Sequence, residues 1–168
     1  MNFNESKTFG DVFENKLIED ITKKLNTKCL LNDDESNYKY YDIILVDKNK
    51  TIECKHDLKF KSTGRFVIET HCNGNESGIL TTKADYWILG DLDTIYIFKT
   101  EDLKRCIDEC YTQLYPEEPT RIFYYQNYDV QQSDGRYKPM NFYLINIKVI
   151  IEYCEEYGKF ENIKYITL

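Results

Sequence analysis

A carboxylate set in the middle of an apolar strand constrains this chain more than any other feature. Residues 40 to 46, Tyr-Tyr-Asp-Ile-Ile-Leu-Val, are apolar except for Asp42; Asp47 to Lys50 then supply turn chemistry, and Thr51 to Lys55 resume an extended pattern. The pattern predicts two strands joined by a tight polar turn. Side chains alternate along a strand, so Ile52 and Cys54 take one face while Glu53 and Lys55 share the other, roughly 7 Å apart at a rise of about 3.3 Å per residue. Pairing across the turn brings Asp42 near Glu53. Two carboxylates and an ammonium then point the same way.

Such a set suits metal-assisted hydrolysis of a phosphodiester. Two carboxylates and a backbone carbonyl make a hard, oxygen-lined half-shell for Mg²⁺ or Mn²⁺, ions that keep several waters for substrate and nucleophile. The metal acidifies a bound water and offsets charge on the phosphorane, while a lysine orients that water or stabilises the same charge. Asp42, followed eleven positions on by Glu53-Cys54-Lys55, resembles the bipartite motif of the PD-(D/E)XK nuclease superfamily, with Tyr41 where the first Pro often stands. The resemblance implies Asp42, Glu53 and the Cys54 backbone carbonyl as metal ligands and Lys55 as the catalytic ammonium.

Upstream, Ser6 or Thr8 is placed to cap a helix running to about Leu25. Phe9, Val12, Phe13, Leu17, Ile21 and Leu25 recur at three- and four-residue spacing, so one stripe is buried while Asp11, Lys16, Asp20 and Lys23 face water. Glu14 lies beside the stripe. Periodicity alone allows a solvent-facing residue there. The string FGDVFENKL, however, resembles the G-x-x-x-E opening helix of several PD-(D/E)XK branches, Holliday-junction resolvases among them, in which that Glu reaches the metal directly or through water. The resemblance implies Glu14, ahead of Glu19, as a catalytic residue and an outer or third metal ligand. Thr27 to Leu31 reads as a first strand and Asn32 to Asn37 as a polar connection.

Downstream of Lys55 the cations Lys59, Lys61 and Arg65 crowd one short segment with Asp57 as their main opposition. They read either as a solvated loop or as a phosphate-tracking patch beside the metal motif. Arg65 to Thr70 is strand-like, Asn73 to Gly78 turn-rich, and Tyr86 to Leu89 and Thr94 to Phe98 form two strands around a turn at Gly90 to Asp93. Thr63-Gly64, Ile68-Glu69, Ser77-Gly78-Ile79 and Thr82 through Trp87 resemble a pattern in phage and bacterial PD-(D/E)XK proteins, TG, IE, SGI and T.ADYW after the E-x-K. With the opening helix, the resemblance covers about the first hundred residues. Ser77, Thr81, Thr82 and Lys83 are candidate phosphate contacts, by hydroxyl and ammonium, with Ser77 and Thr82 equally suited to capping a short helix. Glu69 is a candidate accessory acid or a partner for Arg65. His71 reads as a polar loop residue or, less in keeping with its setting, a general base.

The remaining chain predicts a helix from a Thr100 cap to about Tyr115, strands over Arg121 to Tyr125 and Asn141 to Ile147, and a last helix from Lys148 to Tyr157. A polar loop containing Ser133-Asp134-Gly135 separates the two strands. Tyr124, Tyr125, Tyr128 and Tyr137 are sheet formers that could also stack on unpaired bases. None of the six cysteines forms a CxxC pair, so neither a zinc ribbon nor a thioredoxin motif is signalled, and Cys106 and Cys110 at helical spacing read as core.

A net charge of −7 over 168 residues argues against a broad, non-specific nucleic-acid binder without excluding a nuclease. The length suits one domain spanning residues 1 to 168. The lack of a long apolar run or a secretory h-region predicts a cytoplasmic protein, of the host cell if the chain is viral, with no membrane partner. The expected architecture is a restriction-endonuclease-like α/β sandwich, a mixed central sheet flanked by helices. The expected partner is a nucleic acid, DNA ahead of RNA, with room for a homodimer. The competing expectation is an accessory factor that uses the same scaffold for binding without turnover.

Overall fold

The computed structural model describes residues 3–33, 40–57, 59–110, 122–131, 136–156 and 166–167. The chain opens with helix α1 (Phe3–Leu25), followed by strands β1 (Cys29–Leu31), β2 (Ile43–Leu45) and β3 (Lys50–His56). A short helix α2 (Phe60–Thr63) leads into β4 (Arg65–Cys72), β5 (Asn75–Glu76), β6 (Tyr86–Gly90) and β7 (Thr94–Lys99). Helix α3 (Thr100–Glu109), the long hairpin β8 (Ile122–Gln131) and β9 (Tyr137–Asn146), helix α4 (Ile147–Glu156) and β10 (Ile166–Thr167) complete it.

The strands form two sheets. The larger is mixed, in the order β1-β2-β3-β6-β7-β10, and antiparallel throughout except where β3 runs parallel to β6. The smaller is antiparallel, in the order β5-β4-β9-β8. Alternation along β3 and β6 divides the core in two. Ile52, Cys54 and Ile88 face α1, where Phe13, Leu17 and Ile21, four residues apart, bury one helical stripe against Ile43 and Leu45. Trp87 and Leu89 face the other way, onto Phe66, Ile68 and Ile145 of the second sheet and onto Leu103 and Ile107 of α3 and Val149 and Ile150 of α4.

The expected mixed sheet is present, and helix α1 covers one face of it. The other face is a correction: it lies under a second sheet as well as α3 and α4, so the protein is an α/β fold of two sheets. Several boundaries also shift. The strand expected over residues 40 to 46 shrinks to three residues because Val46 enters a 3-10 turn (Val46–Lys48) that Asn49 closes in the left-handed region, at φ 48°. The helix begins at Phe3, which places the expected caps Ser6 and Thr8 inside it. Thr100 starts α3 without capping it; Lys99 holds the cap position, and the Thr100 hydroxyl is buried without a hydrogen-bond partner. The expected end of that helix near Tyr115, the Ser133-Asp134-Gly135 loop and Tyr157 lie outside the described residues. Cys106 and Cys110 are core, their sulfurs 3.8 Å apart. No helix among the described residues is long and apolar enough to cross a membrane.

Candidate active site

The site begins with register. Ile43 pairs with Ile52, and both belong to the core beneath α1, so Asp42 and Glu53 fall opposite one another on the far face of the mixed sheet. The Asp42 amide donates to the Ile52 carbonyl at 2.8 Å, holding Asp42 in line with β2. Its carboxylate Oδ2 accepts the Cys54 amide at 2.6 Å. Glu53 is only 8% exposed, and its Oε1 meets the Lys55 Nζ at 2.6 Å. Lys55, at 41% exposed, reaches back along its own strand to make that ion pair and rests 5.7 Å from the centre of the Trp87 ring.

The charges crowd one another. Burial pushes Glu14 up from an ordinary 4.5 to about 7, helped by the neighbouring Asp42 and Asp11 carboxylates and by Glu53, with Lys55 opposing. Asp42 and Glu53 are likewise raised, chiefly by burial, although Lys55 pulls both down and the Cys54 amide steadies Asp42. Burial works against the charged form of Lys55, yet Glu53 and Asp42 outweigh it and hold the ammonium above its usual range. Glu69, on β4, adds its own field to Glu53 and Lys55. Helix α1 and strands β2, β3 and β4 therefore bring Glu14, Asp42, Glu53, Lys55 and Glu69 into one electrostatic cluster. Carboxylates raised by burial and by one another are a common mark of functional sites.

Mg²⁺ and Mn²⁺ fit this donor set by chemistry, since oxygen ligands with surplus negative charge are what such ions take. Asp42, Glu53, Glu14 and the Cys54 carbonyl are the groups that would hold one. Among the described residues no three His, Cys, Asp or Glu side chains converge into a finished cage. Instead the ammonium of Lys55 partly neutralises the cluster.

The segment before β6 frames the acid pair. Thr82 Oγ1 donates to the Tyr40 carbonyl at 2.9 Å and accepts the Ala84 amide at 3.2 Å, and the Lys83 amide donates to the same Tyr40 carbonyl at 3.1 Å. Asp85 accepts the Thr51 amide at 2.9 Å, the Thr51 hydroxyl at 3.1 Å and the Lys50 ammonium at 2.5 Å, which ties β3 to the start of β6. Asp85 has no place among the expected site residues; an acid directly ahead of an apolar strand was the available signal. The Thr82 hydroxyl is thus engaged in framing, and the ammonium of Lys83 lies 3.8 Å from the centre of the Tyr40 ring. Thr81 Oγ1 turns back to the Gly78 carbonyl at 3.4 Å. Ser77 stands at the start of a 3-10 turn (Gly78–Leu80) without capping it, its hydroxyl buried and without a partner.

Gly78 is required for two reasons. Its φ is +53°, and an added Cβ would press into the Glu69 carbonyl, with the carbonyl carbon and the Glu69 Cβ each only 3.0 Å away. The turn thereby seats against Glu69, where a bulge interrupts the β4 and β9 pairing before His71. His71 Nδ1 meets the Thr70 hydroxyl at 3.1 Å, apart from the acid cluster.

The expected basic patch divides. Lys61 turns toward Asp93, 2.7 Å away, at the surface. Lys59 and Arg65 instead share a concavity of about 500 Å³ floored by Val67 and Leu144 on the outer face of the second sheet, with Asp57 at its rim. Arg65 lies 5.4 Å from the centre of the Phe123 ring. Comparisons with protein-family models, with curated proteins and with solved structures find no match.

Proposed function

We propose that this protein is a metal-dependent nuclease on a restriction-endonuclease-like scaffold, hydrolysing nucleic-acid phosphodiesters, DNA ahead of RNA. The observation that carries the reading is the pair Asp42 and Glu53, facing each other from adjacent strands with Lys55 on the same face and Glu14 in the same field. Mg²⁺ or Mn²⁺, when bound, supplies an acidified water and offsets charge on the phosphoryl oxygens. Asp42 is pre-oriented by the Cys54 amide, so one of its oxygens is fixed before any ligand arrives. Lys55 would be freed where a cation held by Glu53 takes up that carboxylate's charge, and its ammonium would then orient the attacking water or stabilise the developing charge. Glu14, raised to about 7 in the metal-free protein by burial and by Asp42 and Asp11, would give up its proton as a cation bound among these carboxylates.

A second reading, a binding factor without turnover, draws support from the Glu53 and Lys55 ion pair, which neutralises part of the cluster with no metal required. A panel of labelled single-stranded, duplex and branched DNA and RNA substrates, incubated with Mn²⁺ or with EDTA, separates the two. Cleavage in Mn²⁺ that EDTA abolishes, and that Asp42→Asn removes, supports the nuclease. Metal-independent cleavage, or none on any substrate, refutes it.

A further inference from the structure

Apart from Glu69, the outer face of the second sheet is separate from the acid cluster. Cross-strand register sets Arg65 beside Asn146, Val67 beside Leu144 and Phe123, and Glu69 beside Phe142 and Tyr125 on this one face, away from the core. Tyr125 stacks on Phe142 with ring centres 5.0 Å apart, and Tyr128, 54% exposed, meets both rings edge-on. Val67, on the floor of the concavity, is 41% exposed.

Cations border these rings. Lys50, Lys55 and Lys61 each pair with a carboxylate, whereas among the described residues neither Lys59 nor Arg65 has one within ion-pair distance. The Asp57 carboxylate at the rim accepts the Lys59 backbone amide at 2.9 Å and leaves the ammonium free. Two cations without a carboxylate partner, beside the half-buried Phe123 and Tyr125 and the exposed Tyr128, form the usual arrangement for an unpaired nucleotide: phosphate on the cations, base on the rings. A duplex offers no base face for stacking and calls for a longer basic track than the two such cations that line this concavity among the described residues of a chain of net charge −7. Strand β4 also joins the concavity to the cluster. Arg65 lies in it and Glu69, whose field reaches Glu53 and Lys55, is four residues on, roughly 13 Å at about 3.3 Å per residue.

We propose that this face binds single-stranded nucleic acid, with a phosphate held by Lys59 and Arg65 and bases stacked on Phe123 and its aromatic neighbours, and that it leads the strand toward the acid cluster. The inference takes its substrate class from the nuclease reading, and it is tested by binding without metal. Fluorescence anisotropy in EDTA, over a salt series, measures the intact protein with labelled oligo(dT), oligo(U) and a duplex of equal length. The single strands bind more tightly than the duplex. Lys59→Ala with Arg65→Ala flattens the slope of log affinity against log salt by about 1.4, at roughly 0.7 per phosphate contact. Phe123→Ala weakens binding about 5- to 150-fold, as the loss of one stacked base predicts. Val67→Glu, at an exposed position that leaves the core intact, blocks binding, while Lys61→Ala leaves the salt slope unchanged. Equal binding of strand and duplex, no binding at low salt, or variants that all bind like the parent would overturn the inference. So would a dimer in sedimentation that Val67→Glu dissociates, since a second copy would then cover this face. Mn²⁺-dependent cleavage with the groove variants unimpaired would sink this inference and leave the nuclease reading standing; strand binding at the groove without cleavage would do the reverse.

Discussion

Glu14→Gln should make the metal-free protein more stable, and only above acidic pH. Glu14 is raised from 4.5 to about 7 by burial and by Asp42, Asp11 and Glu53, so between those values the folded chain keeps a proton that the unfolded chain has lost. Stability that depends on a proton held by the folded state falls as pH rises through that window, and the whole loss is present above about 7. A rise from 4.5 to about 7 corresponds to about 3 kcal/mol at 1.36 kcal/mol per pH unit. Glu14 is only half-buried, and solvent screening reduces this to about 1–2 kcal/mol. Glutamine keeps the shape and cannot ionise. Urea denaturation followed by the single tryptophan, Trp87, which is fully buried, should therefore place Glu14→Gln above the parent by about 1–2 kcal/mol at about pH 8 and level with it at about pH 4. Added Mg²⁺ should narrow the gap by stabilising the parent more. A difference of the same size at both pH values would show that Glu14 acts through packing, and a variant less stable than the parent at about pH 8 would refute the crowding outright.

Asp42→Asn and Glu53→Gln should each lower turnover by on the order of 100-fold or more and weaken Mn²⁺ binding in calorimetry, with the fold retained by circular dichroism; wild-type metal affinity in both would sink the ligand assignment. Lys55→Ala should keep substrate affinity in Ca²⁺ within a few fold while losing the chemical step, and near-normal turnover would leave Lys55 a mere counter-charge for Glu53. Gly78→Ala should cost about 2–4 kcal/mol in urea melts, from left-handed strain plus the forced contact at Glu69, and a loss below about half of that would mean that the turn moves away cheaply.

The acid pair was legible because it depends on local rules. Alternation places Glu53 and Lys55 on one face, and a short turn returns the chain so that Asp42 meets Glu53; both hold in the fold. The helical stripe of α1 was legible for the same reason, three- and four-residue spacing being visible without any partner. The second sheet was not. Gln126, Asn127 and Asp129 break the apolar pattern that marks a strand, yet β8 runs through them because β9 pairs alongside, with a bulge at Asn127 whose amide donates to the Asn141 side chain at 2.7 Å. Lys61 and Arg65 look equivalent in the sequence. Four residues of helix and the entry to β4 send them to different faces, one to Asp93 and one to Phe123. The place of Glu69 beside Gly78 is a tertiary contact with no periodic trace.

The parallel pairing of β3 with β6 has a consequence for how the protein can be divided. Parallel neighbours need a crossover, and here that crossover carries β4, whose partner β9 lies roughly seventy to eighty residues further along the chain. A fragment ending after α3 would keep Asp42, Glu53 and Lys55 but leave the long β9-facing edge of β4 open and Trp87 without part of its cover. The part of the chain that carries the acid cluster therefore relies on the outer sheet to complete its core. The acid pair and the concavity sit on separate sheets joined through the shared core around Trp87, so each sheet depends on the other to keep its inner face buried.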